Sequence, residues 1–379
     1  MRVAVLGGAG FAGGHLSTYL ADRGHDILAV DSLVRPGSEF NVPRLFASGV
    51  RVHRGDVRCQ EDWGVVWEFL PEAVIDCAAQ PSAVAGYRNP RLDFTANTFA
   101  ILSALELCRE TGAAFVLFST NKVYPAASVA AVTGPLERLE HRLEPGRPVE
   151  AISELCPLDG GGRSLYGASK VAADLMVQEW ADAYGFPVIC NRFSCLAGPW
   201  QWGQAEQGWV AWWVIAHRLG LPLQYIGHEG RQVRDVLAAD DLCRLIELQL
   251  EDPRPGPEAY NVGGGPIHTL SLRECTAICQ DVTGRTVPVQ EVQEPRKADF
   301  PWYVSDITSV CARYGWAPSE ASDPESLIES IDAWVVDHLP IIRTLFPDAL
   351  PEVGGEMEPV DPTFAAGKVR RGYRSAVFG

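Results

Sequence analysis

The 379-residue chain has no uninterrupted apolar run of the length, about 18 residues or more, that a bilayer-spanning helix requires. It is also short of positive charge. Lys and Arg number 32 against 48 Asp and Glu, a formal net charge of -16, and a polyanionic surface such as nucleic acid or membrane repels a chain of that sign. A smaller anion can still be held by local arginines. The 10 cysteines form no Cys-x-x-Cys pair; Cys275 and Cys279 stand four apart on a predicted helix with no second ligand pair, so they are taken as reduced core thiols and no metal site is expected. Internal repeats and low-complexity tracts are absent. The N-terminus opens on a strand without a signal-peptide pattern, which predicts a soluble, cytoplasmic protein. With 47% hydrophobic residues the chain has enough apolar side chains for a large core.

What is present begins at once. Met1 to Leu6 is an apolar run, Gly7-Gly8-Ala9-Gly10-Phe11-Ala12-Gly13-Gly14 follows, and Leu16, Tyr19 and Leu20 then recur at helical spacing. Strand, glycine turn and amphipathic helix are the parts of a dinucleotide-binding βαβ unit. Gly7, Gly10 and Gly13 let the backbone turn tightly and approach a pyrophosphate, with the helix N-terminus, Phe11 and Ala12 included, facing it. The next apolar run, Asp26 to Val30, ends on Asp31, placed to accept hydrogen bonds from the adenosine ribose and to repel a 2′-phosphate. NAD is therefore the expected cofactor.

Strand and helix patterns then alternate: a strand near Val50–His53, a helix Glu61–Phe69, a strand Ala73–Cys77, a long helix Arg91–Thr111 carrying Asn97, a strand Ala114–Phe118, a helix Leu165–Tyr184 and a strand Val188–Phe193. Such alternation predicts an α/β fold of Rossmann type, a doubly wound parallel sheet with ligands at the C-terminal strand ends. The expected division is an NAD-binding domain over 1–193, a smaller mixed α/β substrate domain over 194–339, possibly interleaved with the first, and a tail over 340–379. Residues 125–162, rich in Pro, Gly and charge, are expected to be an active-site loop insertion.

Tyr166 and Lys170 lie four apart and so on one helix face. A phenol titrates near ~10, and an adjacent ammonium group favours the phenolate by roughly 1–3 units. Tyr166 is thus a candidate acid/base, with Lys170 also holding the nicotinamide ribose. Thr120, at the end of a strand, is placed to hydrogen-bond the reacting oxygen.

Glycine turn, Thr120, and Tyr166-Gly167-Ala168-Ser169-Lys170 together resemble the extended short-chain dehydrogenase/reductase family of sugar-nucleotide epimerases, dehydratases and decarboxylases. The resemblance spans about Arg2 to Leu339. It implies bound NAD with Asp56 and Val57 beside the adenine, Ala78, Ala79, Gln80 and Asn97 near the ribose and phosphates, and Phe193 in the same site. It also implies a nucleotide-diphosphate sugar as substrate and, by analogy, a homodimer through the Arg91–Thr111 and Leu165–Tyr184 helices. Family dehydratases carry Asp-Glu after the catalytic Thr; this chain has Asn121-Lys122.

Ser119 to Tyr124, the insertion, Gln207-Gly208-Trp209-Val210 and Gln232 to Val236 are most similar to the CDP-paratose 2-epimerase branch. That similarity implies inversion at C2 through a keto intermediate. It would place Gln80, Gln207 and Trp209 at the sugar, Asn121 and Lys122 among the substrate-binding residues, Arg234 on the diphosphate, and Arg296 and Asp299 toward the nucleotide, although these last two also suit a surface ion pair. Inversion at C4, dehydration or decarboxylation with Glu154 or Asp159 as substitute acid, and an NAD-sensing interaction protein are the alternatives. Cys195 stands where many relatives have Asn, and Pro125 where they have Gly.

Overall fold

The side chains of Arg2–Leu6, strand β1, alternate between two apolar layers: Val3 and Val5 pack with Leu16 and Leu20, whereas Ala4 and Leu6 pack with Trp63, Ile101 and Leu105. A strand buried on both faces belongs in a parallel sheet covered by helices. The computed structural model describes residues 1–134 and 149–346 and builds that sheet. After β1 come β2 (Asp26–Asp31), β3 (Arg51–Arg54), β4 (Ala73–Asp76), β5 (Ala114–Thr120), β6 (Pro187–Phe193), β7 (Cys195–Ala197), β8 (Leu223–Ile226), β9 (Val233–Ala238) and β10 (Gly256–Val262). The main sheet has seven strands in the order β10-β6-β5-β4-β1-β2-β3, every neighbouring pair parallel. Strand order reverses between β1 and β4. This Rossmann-like arrangement opens its crevice there, at the C-terminal strand ends.

The last strand of that sheet, β10, comes from beyond residue 194, so the chain returns to the first layer after leaving it. The smaller C-terminal part is built on β9, which pairs with β7, with β11 (Thr269–Ser271) and, after the β8–β12 (Val289–Val292) pair, with β13 (Trp302–Tyr303). A third apolar cluster, including Trp202, Trp213, Leu327 and Trp334, lies under its helices. Among the described residues no helix is long and apolar enough to cross a membrane.

Three expectations need correction. The expected helix over Arg91–Thr111 is divided into an α-helix Pro90–Phe94, a π-helical turn Thr95–Phe99 and an α-helix Ile101–Thr111. The wider turn closes through the Ala100 amide on the Thr95 carbonyl at 3.0 Å, and such bulges gather at functional sites; Asn97 lies on this one. Within the expected loop insertion, Ala126–Thr133 is a helix, and Ile152 bridges to Ser305. The remainder over 135–148 lies outside the described residues. Residues 340–346 are not a tail: Leu339–Leu345 is helical and Phe346 packs its ring 5.2 Å from that of Trp212. Residues 347–379 lie outside the described residues.

Candidate active site

Gly7 ends β1 with φ +71°, and a Cβ there would lie 2.8 Å from the Ala78 backbone. Gly13 backs onto the Gly7 carbonyl so closely that any side chain would collide with it. These two positions require glycine. They bring the start of the Phe11–Asp22 helix against the ends of β1 and β4, and its leading N–H groups face a cavity of about 1080 Å³.

Asp31 closes the next corner. Its Oδ2 accepts from Ala9 N at 3.0 Å and its Oδ1 from Leu33 N at 2.9 Å. Burial raises its pKa and these backbone donors oppose the rise. Asp56 is held by Arg58, which lowers its pKa, and the Val57 carbonyl accepts from Trp63 Nε1 at 3.0 Å. Gly7, Gly10, Phe11, Ala12, Asp31, Asp56, Val57, Ala78, Ala79, Gln80, Lys170 and Phe193 all line the cavity. Gly13 and Asn97 stand behind its wall. Asn97 Oδ1 accepts from Gln80 N at 2.8 Å and its Nδ2 donates to the Gln80 carbonyl at 3.1 Å, so it shapes the wall through the backbone.

Thr120 and Tyr166 meet across the cavity. Burial pushes the phenol up to about 12, the Thr120 hydroxyl hydrogen-bonded to it acts in the opposite direction, and Asp93 adds to the rise. The expected depression by Lys170 is overridden. Lys170 is 2% exposed; burial lowers its pKa, and the group that most supports its charge is Asp76 at the end of β4. Asp76 thus supports its charge more than any other neighbour does. Asp76, raised by burial to about 6, feels Lys170 and the Ala78 N–H in return.

The other end of the cavity is built from charge. Asp299 Oδ1 accepts from Lys122 Nζ at 3.2 Å and from Arg234 at 2.8 Å. Burial would raise Asp299, yet the two cations together hold it well below the usual carboxylate range. Lys122 lies 4.0 Å over the Phe300 ring. Asn121, Lys122, Gln207, Trp209, Arg296 and Asp299 line this end, whereas Arg234 stands behind Asp299. Trp209 Nε1 donates to Cys195 Sγ at 3.3 Å, Arg296 donates to the Ala205 carbonyl at 3.1 Å, and the Gln207 side-chain oxygen accepts from Arg35.

Neither Glu154 nor Asp159 is among the lining residues. Glu154 accepts from the Asn261 N–H at 2.7 Å, a framework contact. Sequence reasoning missed Arg35, Asp76, Asp93 and Glu206. Of these, Asp76 is the last residue of an apolar strand before small residues, a pattern that could have singled it out. No group of three His, Cys, Asp or Glu suited to a metal ion occurs among the described residues.

A parallel sheet with a glycine turn, a carboxylate ending β2 and Thr120, Tyr166 and Lys170 gathered in one cavity suits an NAD-dependent enzyme on a Rossmann-like fold. Residues 3–263 match the model of the NAD dependent epimerase/dehydratase family, and the chain belongs to that family. It is an enzyme of that class, and NAD is its cofactor. The glycine cradle, which any Cβ would fill, and the Asp31 carboxylate fit the dinucleotide.

The chain is 28% identical over 334 residues to a CDP-paratose 2-epimerase of Salmonella typhi, covering 84% of this chain and 95% of that one. A dTDP-glucose 4,6-dehydratase of Xanthomonas campestris is also 28% identical, over 335 residues, with 84% and 86% covered. Among solved structures, a Thermus thermophilus UDP-glucose 4-epimerase in complex with NAD superposes with a TM-score of 0.70 at 29% identity, covering 88% of this chain and 99% of that one.

Proposed function

We propose that the protein inverts C2 of a nucleotide-diphosphate sugar in the cytoplasm through a 2-keto intermediate. The observation that carries this reading is the pair following Thr120. A 4,6-dehydratase of this family would need acids there, but the side chains are the Asn121 amide and a Lys122 ammonium group engaged by Asp299. The Salmonella relative, a 2-epimerase, supports the same choice.

In this reading Thr120 orients the sugar hydroxyl, and Tyr166, as phenolate, takes its proton while hydride leaves the carbon. NAD, when bound, supplies the hydride acceptor and donor of a redox-neutral inversion. Lys170, charged against Asp76, holds a ribose, and its field together with a cationic ring opposes the burial that keeps Tyr166 protonated. The ketone turns its other face, and Tyr166 returns the proton as hydride returns. Arg234, Lys122 and Arg296 supply positive charge for the diphosphate, and Gln207 and Trp209 bound the sugar.

Inversion at C4 uses the same three residues with the sugar seated differently, and the Thermus neighbour is a 4-epimerase. Incubation with CDP-, UDP- and dTDP-hexoses, with products assigned by NMR, separates the readings. A C2-inverted sugar is expected; a C4-inverted or 4-keto-6-deoxy product would overturn the choice of C2. Protein denatured after purification should release NAD in near-stoichiometric amount, because a recycled cofactor need not leave. A homodimer through the Arg91–Thr111 and Leu165–Tyr184 segments is part of the proposal, supported by exposed Phe99, Leu175 and Tyr184. Light scattering tests it, and a monomer would end it.

A further inference from the structure

Behind the cavity wall lies a carboxylate that the reaction as described does not use. Asp93 is 1% exposed, and its three hydrogen bonds all come from neutral groups. Oδ1 accepts from Gln80 Nε2 at 2.7 Å and from Asn97 Nδ2 at 3.2 Å, and Oδ2 accepts from Ser169 Oγ at 3.2 Å. Gly86 lets the Ala83–Arg88 helix close over it, since a Cβ there would come within 3.2 Å of the carboxylate. A buried carboxylate without a directly bonded cation is costly to keep. It stands between the two halves of the site.

We propose that Asp93 is a positioning residue: its carboxylate ties Gln80, in the loop after β4, to Ser169, on the helix that carries Tyr166 and Lys170, and places a negative charge beside that helix. The tie is continuous. The single Ser169 hydroxyl proton is shared between Asp93 and the Tyr166 carbonyl, 2.9 Å away, while its oxygen accepts from Asn97 at 3.0 Å, and the Gln80 amide is fully engaged, donating to the Ser82 carbonyl and accepting from Ser82 N. The loop that lines the cavity at Ala78 and Ala79 is thereby fixed in register with the catalytic helix. The Asp93 charge adds to the rise that burial causes at Tyr166, and Lys170 in turn opposes the effect of burial on Asp93. The other ionisable groups around this pair are Asp76 and Cys77 after β4, Cys190 on β6, Asp174 one turn further along the same helix, Lys122 after β5, and Tyr87 and Arg88 on the Ala83–Arg88 helix.

The inference rests on Tyr166 as the acid/base, and its test does not need the substrate. Asp93→Asn keeps the shape, because its amide oxygen accepts from Gln80 and Asn97 and its NH₂ donates to Ser169. Only the charge goes. Removing a negative charge that faces a phenol stabilises the phenolate, so the Tyr166 titration, followed by phenolate absorbance with the matching Tyr166→Phe protein subtracted, should shift to lower pH by roughly half a unit to one unit. The acid limb of the pH–rate profile should move in the same direction. An unmoved phenol titration in folded Asp93→Asn would overturn the proposal. Ser169→Ala keeps the charge and cuts the tie. It should leave the titration in place and lower the NAD retained through gel filtration, and a shifted titration with full retention would equally overturn it. If the unaltered protein turns over no nucleotide sugar, the C2 reading fails while these two measurements still decide the role of Asp93.

Discussion

The two ends of the cavity are made of different materials. The end proposed for the cofactor is backbone and absence: Gly7 and Gly13 are where no side chain fits, Ala78 and Ala79 are small, and Asp31 is satisfied by two N–H groups. The end proposed for the substrate is long charged side chains gathered from distant segments, with Lys122, Arg234 and Asp299 joined through one carboxylate oxygen. Close backbone approach leaves no room for added atoms, whereas the charged contacts depend on each side chain being present. The first end should therefore fail when atoms are added, and the second when atoms are removed.

Where the ends meet, Tyr166→Phe should have the largest effect. Turnover of a nucleotide sugar should fall by roughly 10²–10⁴-fold, the usual contribution of a positioned acid/base, while NAD released on denaturation stays the same. Loss of NAD instead would make Tyr166 a binding group. At the cofactor end, Gly7→Ala adds one methyl group at φ +71° against the Ala78 backbone. It should cost about 1–3 kcal/mol in urea unfolding and give protein purified without NAD; retained NAD would mean that the turn yields. At the substrate end, Lys122→Met removes a cation and leaves Asp299 with Arg234 alone. KM should rise about tenfold, the equivalent of ~1.4 kcal/mol, with kcat changed less. An equal fall in kcat would instead place Lys122 at the reacting carbon.

The same contrast explains what the sequence could disclose. The glycine turn, Asp31 and the Tyr166/Lys170 pair are local patterns, fixed by a turn or by one helical repeat, and were legible within a few residues. The helix over Leu165–Tyr184 has the bounds expected of it; Ser164 caps it and Gly185 ends it. The Lys122–Asp299 contact spans 177 positions, and no local spacing signals it; only the family resemblance brought Arg234 and Asp299 into the site. Asp93 was missed for a different reason. On a helix its period matches an exposed acid, and only the fold of Gln80 and Ser169 around it makes it a buried one. The Tyr166 phenol was expected to be drawn down by Lys170, but burial raises it, and Asp76 is the group that most supports the Lys170 charge.

Per pH unit, the smallest expected effect lies on a contact that joins the two materials. His15, one turn into the helix after the glycine turn, contacts the Pro199 carbonyl through Nε2 at 2.8 Å, so the cofactor end leans on the segment leading to Gln201 and Trp202. Burial, with the Arg44 charge beside it, lowers its pKa to about 4, against an ordinary 6.5. Neutral His15 donates its Nε2–H to the carbonyl. Between those values the unfolded chain binds a proton that the folded protein refuses, so stability is present in full above about pH 6.5 and is lost as pH falls toward about 4. The loss should be about 1 kcal/mol per pH unit within that window. Urea unfolding followed from neutral to mildly acid pH should therefore show a steeper decline for the unaltered protein than for His15→Gln, which keeps a donor for Pro199 and has no proton to gain. Parallel declines would mean that His15 titrates normally, and that the helix is joined to Pro199 by a contact loose enough to admit water.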